Sequence, residues 1–556
     1  MKTTGGLASR RRLWLTLLAL GALLLVAAIT FAFARQSSVD VDDFQISSDN
    51  RYVVYVVEQQ PDDALEIYSV PLYGSAAPVR LGGLVQTFFS DLQNYAIAPD
   101  SSRVVYRADQ ETDRVLELYS IPIDGSAASQ KLNASLVTGG FVFDFAISAD
   151  SRRVVYLADQ ETDQVFELYS VPIDGSAAPQ KLNSSPVPAS GASEFAMVPA
   201  SGVSEFAISA DSRRVVYRAD QEGGAAALYS VPLDGGAAPV LLGESLSQPT
   251  TLDLAETYAI APDSSRVVYL AAQDTAGVDE LYSVPLDGSA APQKLNGPLT
   301  ASGQVTEFTL SADSSRVVYR ADQETTEVFE LYSVPLDGSA APQKLNGPLP
   351  EEGDVSFGNF AISADSSRVV YRADQETDQV FELYSVPLDG SAAPQKLNSA
   401  LVEEGNVYPG GFVISADSSR VVYVADQETD EVLELYSVPI DGGAAPQKLN
   451  GPLPEGGNVS FRSFAISANS SQVVYMAEQE MDGMFELYSV PIDGGAAPQK
   501  LNGSLEASED VVDFAIGGDG RRVVYRVEQE TDVMFELYSV PIDGSAAPQN
   551  LAARWW

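Results

Sequence analysis

"NFAISADSSRVVYRADQETDQVFELYSVPLDGSAAPQKLN" spans Asn359–Asn398. The opening NFAIS is a short apolar run. ADSS reads as a turn, with Asp365 placed to accept a hydrogen bond from the backbone N–H two residues on. RVVYRA and VFELYSVPL are rich in β-branched and aromatic residues and read as strands. DQETDQ between them is a polar connection. DGSAAP begins with the Asp-Gly pair that tight hairpins favour, because Gly accepts positive φ. QKLN is a last short strand. No segment repeats apolar residues at helical spacing over the length a helix needs. The unit therefore reads as four antiparallel strands, first to fourth.

The unit recurs along the chain. Asp374–Asn398 and Asp159–Asn183 differ only in having Leu388 where the other has Ile173. A Tyr-Ser pair sits in the same local frame at Tyr68, Tyr119, Tyr169, Tyr229, Tyr282, Tyr332, Tyr384, Tyr436, Tyr488 and Tyr538. The widest spacing, between Tyr169 and Tyr229, has a local cause. ASGASEFAM at Ala189–Met197 is echoed by ASGVSEFAI at Ala200–Ile208, and only the second copy leads into Ser-Ala-Asp. Phe206 and Ile208 are therefore expected in a strand and Phe195 in a loop. No linker of different composition interrupts the series, so one ring of ten units is expected rather than two smaller ones.

Val369, Val370 and Tyr371 follow one another in the second strand, so both faces of each sheet need cover. Units stacked face to face and arranged radially give a β-propeller. FAISADSSRVVY resembles the first half, and LYSVPLDGSAAPQKL the second half, of the repeat in TolB-type propellers, with related WD40-like blades in prolyl-oligopeptidase and tricorn-protease propellers. The resemblance covers all ten units, roughly residues 40–553. It implies four-stranded blades that each keep their own four strands, so that the seam between units one and ten rests on side-chain packing alone. Two features depart from the family: the turn is mostly Ala-Asp-Ser where Pro-Asp-Gly is usual, and family rings commonly have about six to eight blades. The fold class is thus all-β, a propeller of about ten four-stranded antiparallel blades over residues 36–556, preceded by one N-terminal hydrophobic helix.

The first 12 residues are basic and residues 13–34 are uncharged. At about 1.5 Å per residue such a run can span a bilayer core of roughly 30 Å. Ala32-Phe33-Ala34 also fits a signal-cleavage site. A membrane anchor with an extracytoplasmic propeller is expected, with secretion or periplasmic release after cleavage as the alternative. Arg10, Arg11 and Arg12 stay on the cytoplasmic side in both cases.

The chain has 77 acidic and 33 basic residues, no Cys and no His. This composition removes disulfides, thiolate or imidazole metal sites and His-based acid–base chemistry. Net charge of −44 repels nucleic acid and anionic lipid headgroups. Contact with the membrane is therefore expected through the N-terminal helix only, and the protein as a monomer.

Propeller topology puts the second-to-third and fourth-to-first connections on one rim. The former carries the candidate acidic binding rim: Asp109, Glu111, Asp113, Asp159, Glu161, Asp163, Glu324, Asp374, Glu376, Asp378, Asp426, Glu428 and Asp430. The latter is where the units differ most. Such a face suits a basic protein or a polyvalent cationic ligand; solvated hairpin tips that keep sheet edges apart are the structural alternative. No cofactor is expected. Dense carboxylates raise calcium, but Asp374-Gln375-Glu376-Thr377-Asp378 lacks the ligand spacing of an EF-type loop. Candidate acids recur unit after unit, whereas an active site needs one asymmetric constellation. The expectation is a binding scaffold without catalysis, the alternatives being a carbohydrate-active or other hydrolytic propeller and a structural surface repeat protein.

Overall fold

The computed structural model describes residues 40–59, 64–85, 94–112, 115–183, 202–220, 226–244, 246, 257–506, 509–529 and 534–552. The apolar run 13–34, with the helix expected there, Asp113 and Phe195 lie outside the described residues. The described residues form ten four-stranded sheets, each built from four consecutive strands in simple meander order. Blade 7 is representative, with strands Val355–Ile362, Arg368–Ala373, Glu382–Pro387 and Gln395–Lys396. The strand Val203–Ile208 of blade 4 contains Phe206 and Ile208, as expected. No helix among the described residues is long and apolar enough to cross a membrane.

The second strand shows why the blades must stack. Val369, Val370 and Tyr371 are all fully buried. Val369 and Tyr371 join a core shared with Val318, Leu331 and Leu345 of blade 6. Val370 points the other way, into a core with Val421 and Tyr423 of blade 8. Alternation along one strand thus divides its side chains between two interfaces. The last interface closes the ring, joining Val53, Tyr55 and Val70 of blade 1 to Val524 and Leu537 of blade 10. The seam holds more than apolar packing. Arg526 of blade 10 donates to the carbonyls of Val41 and Asp42, and the Phe535 N–H donates to Asp40. Strand pairing does not cross the seam, but charge-assisted hydrogen bonds do.

The turn residues act as read from sequence. The Ser367 N–H donates to Asp365 Oδ1 at 3.0 Å. In the third-to-fourth hairpin, Gly390 has φ 67°, and a Cβ there would lie 2.5 Å from Gln343 of blade 6. Ser in place of the family's turn Gly has its own role. Ser418 adopts φ 60° and accepts at Oγ the Asp365 N–H of the preceding blade at 3.0 Å. The same bond recurs from Asp49 with Ser101 to Asp417 with Ser470, at 2.9–3.1 Å throughout. This belt ties blades 1 to 9 together along one rim.

First strands of successive blades run side by side, as Val355–Ile362 does with Val407–Ile414. Fourth strands are two residues long in eight of the ten blades, with an exposed Gln in blade 7. The first strands therefore surround the axis and the fourth strands form the outer wall.

Candidate functional site: the acidic rim and the channel mouth

In DQETDQ each residue has a different environment. Asp374 is 3% exposed and accepts two backbone N–H groups, from Asp354 at 2.6 Å and Gln379 at 3.1 Å. Asp354 lies in the fourth-to-first loop, which confirms that the two kinds of loop share a rim. Asp159 and Asp426 are buried in the same way, bonded to the N–H groups of Phe141 and Asn406. Burial raises the pKa of both, against the lowering effect of these bonds. Gln375 Oε1 accepts the Tyr371 hydroxyl at 2.7 Å and the Gly347 N–H at 2.6 Å.

The glutamates are spent on ion pairs. Lys396 of the fourth strand bridges Glu376, at 3.2 Å, and the buried Glu382. Glu111, Glu161, Glu324 and Glu428 are held alike by Lys131, Lys181, Lys344 and Lys448. Asp163, Asp378 and Asp430 remain exposed; Asp109 is half-buried. The structure thus separates the candidate rim into buried latches, paired glutamates and exposed aspartates. Reading the connection as a wholly solvated tip misses the first two roles. The pairing signal was present in the sequence as a Lys twenty residues after each Glu.

The fourth-to-first loops add carboxylates that sequence reading left unassigned. Glu351, Glu352, Glu403 and Glu404 of blades 7 and 8 are exposed. None of the four is in an ion pair among the described residues. No group of three or more acidic residues there is arranged to hold a metal ion.

The inner wall is less regular than the rim. The residue before the recurrent Phe or Tyr of the first strand differs from blade to blade, and five of the ten are acids: Asp43, Asp144, Glu205, Glu307 and Asp513. Second-strand arginines lie beside three of them, Arg218 with Glu205 at 3.7 Å, Arg320 with Glu307 at 3.9 Å, and Arg526 with Asp513. Arg320 and Arg372 also stack on Phe329 and Phe381 at 4.0 and 3.8 Å. Burial pushes Glu307 up to about 7, although Gly358 N–H and Arg320 favour its charged form.

In blades 7 to 9 the first strand is lengthened at its rim end, to Val355–Ile362, Val407–Ile414 and Val459–Ile466. The register skips between Val355 and Phe360, Val407 and Phe412, and Val459 and Phe464, so each strand bulges. The bulges carry Phe357, Tyr408 and Phe461.

Ten unswapped meander blades, closed by packing and by the seam hydrogen bonds, define a ten-bladed β-propeller repeat protein whose FAIS-type and LYSVP-type halves resemble TolB-type repeats. More particularly, residues 183–429 match the family model of the lipoprotein LpqB beta-propeller domain. Comparison with curated proteins finds no match. Among solved structures, a dipeptidyl peptidase 4 from Porphyromonas gingivalis is 12% identical with TM-score 0.45, over 91% of this chain and 58% of that one. A eukaryotic initiation factor is 12% identical with TM-score 0.46, over 81% and 96%. A protein assigned as TolB from Agrobacterium tumefaciens is 15% identical with TM-score 0.27, over 47% and 83%. The chain spans little more than half the length of the peptidase it matches.

Proposed function

We propose that this protein is an exported, membrane-tethered propeller that binds a basic protein or polyvalent cationic ligand on its acidic rim, without catalysis. The observation that carries the reading is the set of exposed carboxylates in blades 7 and 8, Glu351, Glu352, Asp378, Glu403, Glu404 and Asp430. They sit on the one rim shared by both loop types, and ion pairs have already absorbed the neighbouring Glu376 and Glu428. Exposed charges are screened over about 10 Å at 0.1 M salt, so adjacent loops reinforce one another while distant ones do not. Export and tethering draw on Arg10–Arg12 before the run 13–34, and on the lipoprotein description of the matching family. The chain has no Cys to carry a lipid, so the anchor proposed is the apolar run itself.

The test is the association rate of poly-lysine with the full chain in detergent, measured against salt. The rate should fall steeply as salt rises. Glu351→Gln, Glu352→Gln, Glu403→Gln and Glu404→Gln together should slow it severalfold. A salt-independent rate would refute the reading.

The hydrolytic alternative draws on the inner wall, where Glu307, with its pKa of about 7, sits in the range of a general acid. Turnover of an oligosaccharide or peptide library that Glu307→Gln abolishes would move the weight to it.

A further inference from the structure

The three bulges set aromatic rings at the rim end of the first strands, beside the axis. Tyr408 and Phe461, from neighbouring blades, lie 6.3 Å apart between centroids at 47°. Phe461 is 37% exposed, one of few large apolar side chains so placed among the described residues. Two of the bulges are held in place by hydrogen bonds to the preceding blade. The Gly358 N–H donates to Glu307 of blade 6, and the Gly410 N–H donates to Asn359 of blade 7 at 2.5 Å. Asn359 in turn donates to the Phe357 carbonyl at 2.6 Å. The bulges of blades 7 and 8 are thus each fixed to the blade before.

Arg462 shows what this surface accepts. Its guanidinium lies 5.1 Å from the Phe461 ring centre, over the ring face. The corresponding bulge positions in blades 7 and 8 are Gly358 and Gly410, both exposed and without a side chain. Tyr408 consequently has no guanidinium of its own blade beside it. The charges around Tyr408 are negative: Asp426, Glu431 and Asp430 act on its hydroxyl and, after burial, raise its pKa. Glu403 and Glu404 lie in the loop leading to the same strand.

We propose that the Tyr408–Phe461 mouth is a docking site for an arginine side chain of a basic peptide. The guanidinium would lie on the Tyr408 ring as Arg462 lies on Phe461, and the flanking carboxylates would neutralise it. Charge complementarity selects this occupant. An aromatic surface beside the exposed acids Asp430 and Glu431 favours a cation, and a planar, weakly hydrated guanidinium stacks better than an ammonium. The inference rests on the proposed basic partner of the rim and narrows it to arginine.

The experiment is fluorescence anisotropy of labelled octa-arginine and octa-lysine peptides with the full chain in detergent, at several salt concentrations. Octa-arginine should bind roughly tenfold more tightly than octa-lysine. Tyr408→Leu with Phe461→Leu should erase that preference and leave the salt slope unchanged. Arg462→Ala should raise octa-arginine affinity more than octa-lysine affinity, because a competing guanidinium leaves the site. Circular dichroism checks that each variant keeps its β content, and Tyr408→Phe, which keeps the ring, should retain the preference. Equal binding of the two peptides, or a preference that survives the double Leu variant, overturns the arginine site while leaving the acidic-rim reading standing. Failure of both peptides to bind, or salt-independent binding, overturns both. Binding of a neutral oligosaccharide that the double Leu variant abolishes also overturns the arginine site, by assigning the rings to sugar stacking.

Discussion

Asp374→Ala tests the claim that the first acid of DQETDQ is a structural latch. The carboxylate is 3% exposed and accepts two backbone N–H groups. Hydrogen bonds to a charged acceptor contribute about 1.5–3 kcal/mol each. Water reaches the loop once the side chain is gone, because Glu376 to Gln379 are exposed, so the lower end of each range applies. The sum is about 3 kcal/mol. The latch also works against backbone strain, because it holds Gln379 at φ 62°, a conformation that non-Gly residues adopt rarely. Asp378→Ala, on an exposed neighbour, should stay within about 0.5 kcal/mol. Ten near-identical blades need not melt as one unit, so a local probe decides. Hydrogen exchange at the Asp354 and Gln379 amides should speed up about a hundredfold in Asp374→Ala, since 1.4 kcal/mol is a factor of about ten. Asp374→Asn keeps one acceptor oxygen and should fall between. Blade 9 has Glu478 at this place, and its longer side chain still reaches the N–H groups of Asn458 and Gly483. Equal exchange in Asp374→Ala and Asp378→Ala would refute the latch.

Further outcomes are expected. Glu307 has its folded pKa raised to about 7 from an ordinary 4.5, so its stabilising effect is complete below pH 4.5 and is lost as pH rises to 7; pH-dependent melting should flatten in that window in Glu307→Gln. Ser418→Ala loses the belt bond to Asp365 and keeps the φ 60° conformation, costing about 1–2 kcal/mol, whereas Ser418→Gly relieves the conformation and should be nearly neutral in denaturant unfolding. Native protein should fractionate with membranes and keep its N-terminus; Edman sequencing that starts at Arg35 would decide for cleavage.

The fold was legible because the signal was repeated ten times. Two residues of one blade could have been read either way, but VVY before a polar loop, YSVP after it and Asp-Gly beyond admit one topology when they recur at a fixed spacing. The site was legible only in part. The sequence showed acid in DQETDQ but not its partners, since Asp374 meets the Asp354 N–H across a different loop. Lys396 is twenty residues from Glu376 and meets it only when the second-to-third loop folds toward the outer strand. The extra residues of SFG, YPG and SFR were readable as text, yet they became bulges only through the register skip. That skip depends on Val355 and Phe360 both pairing with the second strand.

Where a ring of near-identical blades can carry function follows from which positions already have structural work. In blade 7, Tyr371 and Tyr384 stack at 5.5 Å, Arg368 donates to Ser385 at 2.7 Å, and the Leu383 N–H donates to Asn398 at 2.8 Å. Changing any of these breaks a contact inside the blade. Changing Val369 or Val370 breaks one between blades. What remains free is the exposed acid of the second-to-third loop, the fourth-to-first loop, the inner-wall position and the bulge. All four open on the same rim or on the axis beside it. A substitution there alters one blade's surface and leaves its neighbours packed, so differences between blades can accumulate without unfolding the ring. Blades 7 to 9 differ from the rest at the bulge, which lengthens the first strand. Their bulges carry Phe357, Tyr408 and Phe461, and their loops carry Glu351, Glu352, Glu403, Glu404 and Glu455. If the rim binds a ligand as proposed, these three adjacent blades are where a binding sector fits on a symmetric scaffold, away from the seam, whose bonds already hold Asp513 and Arg526.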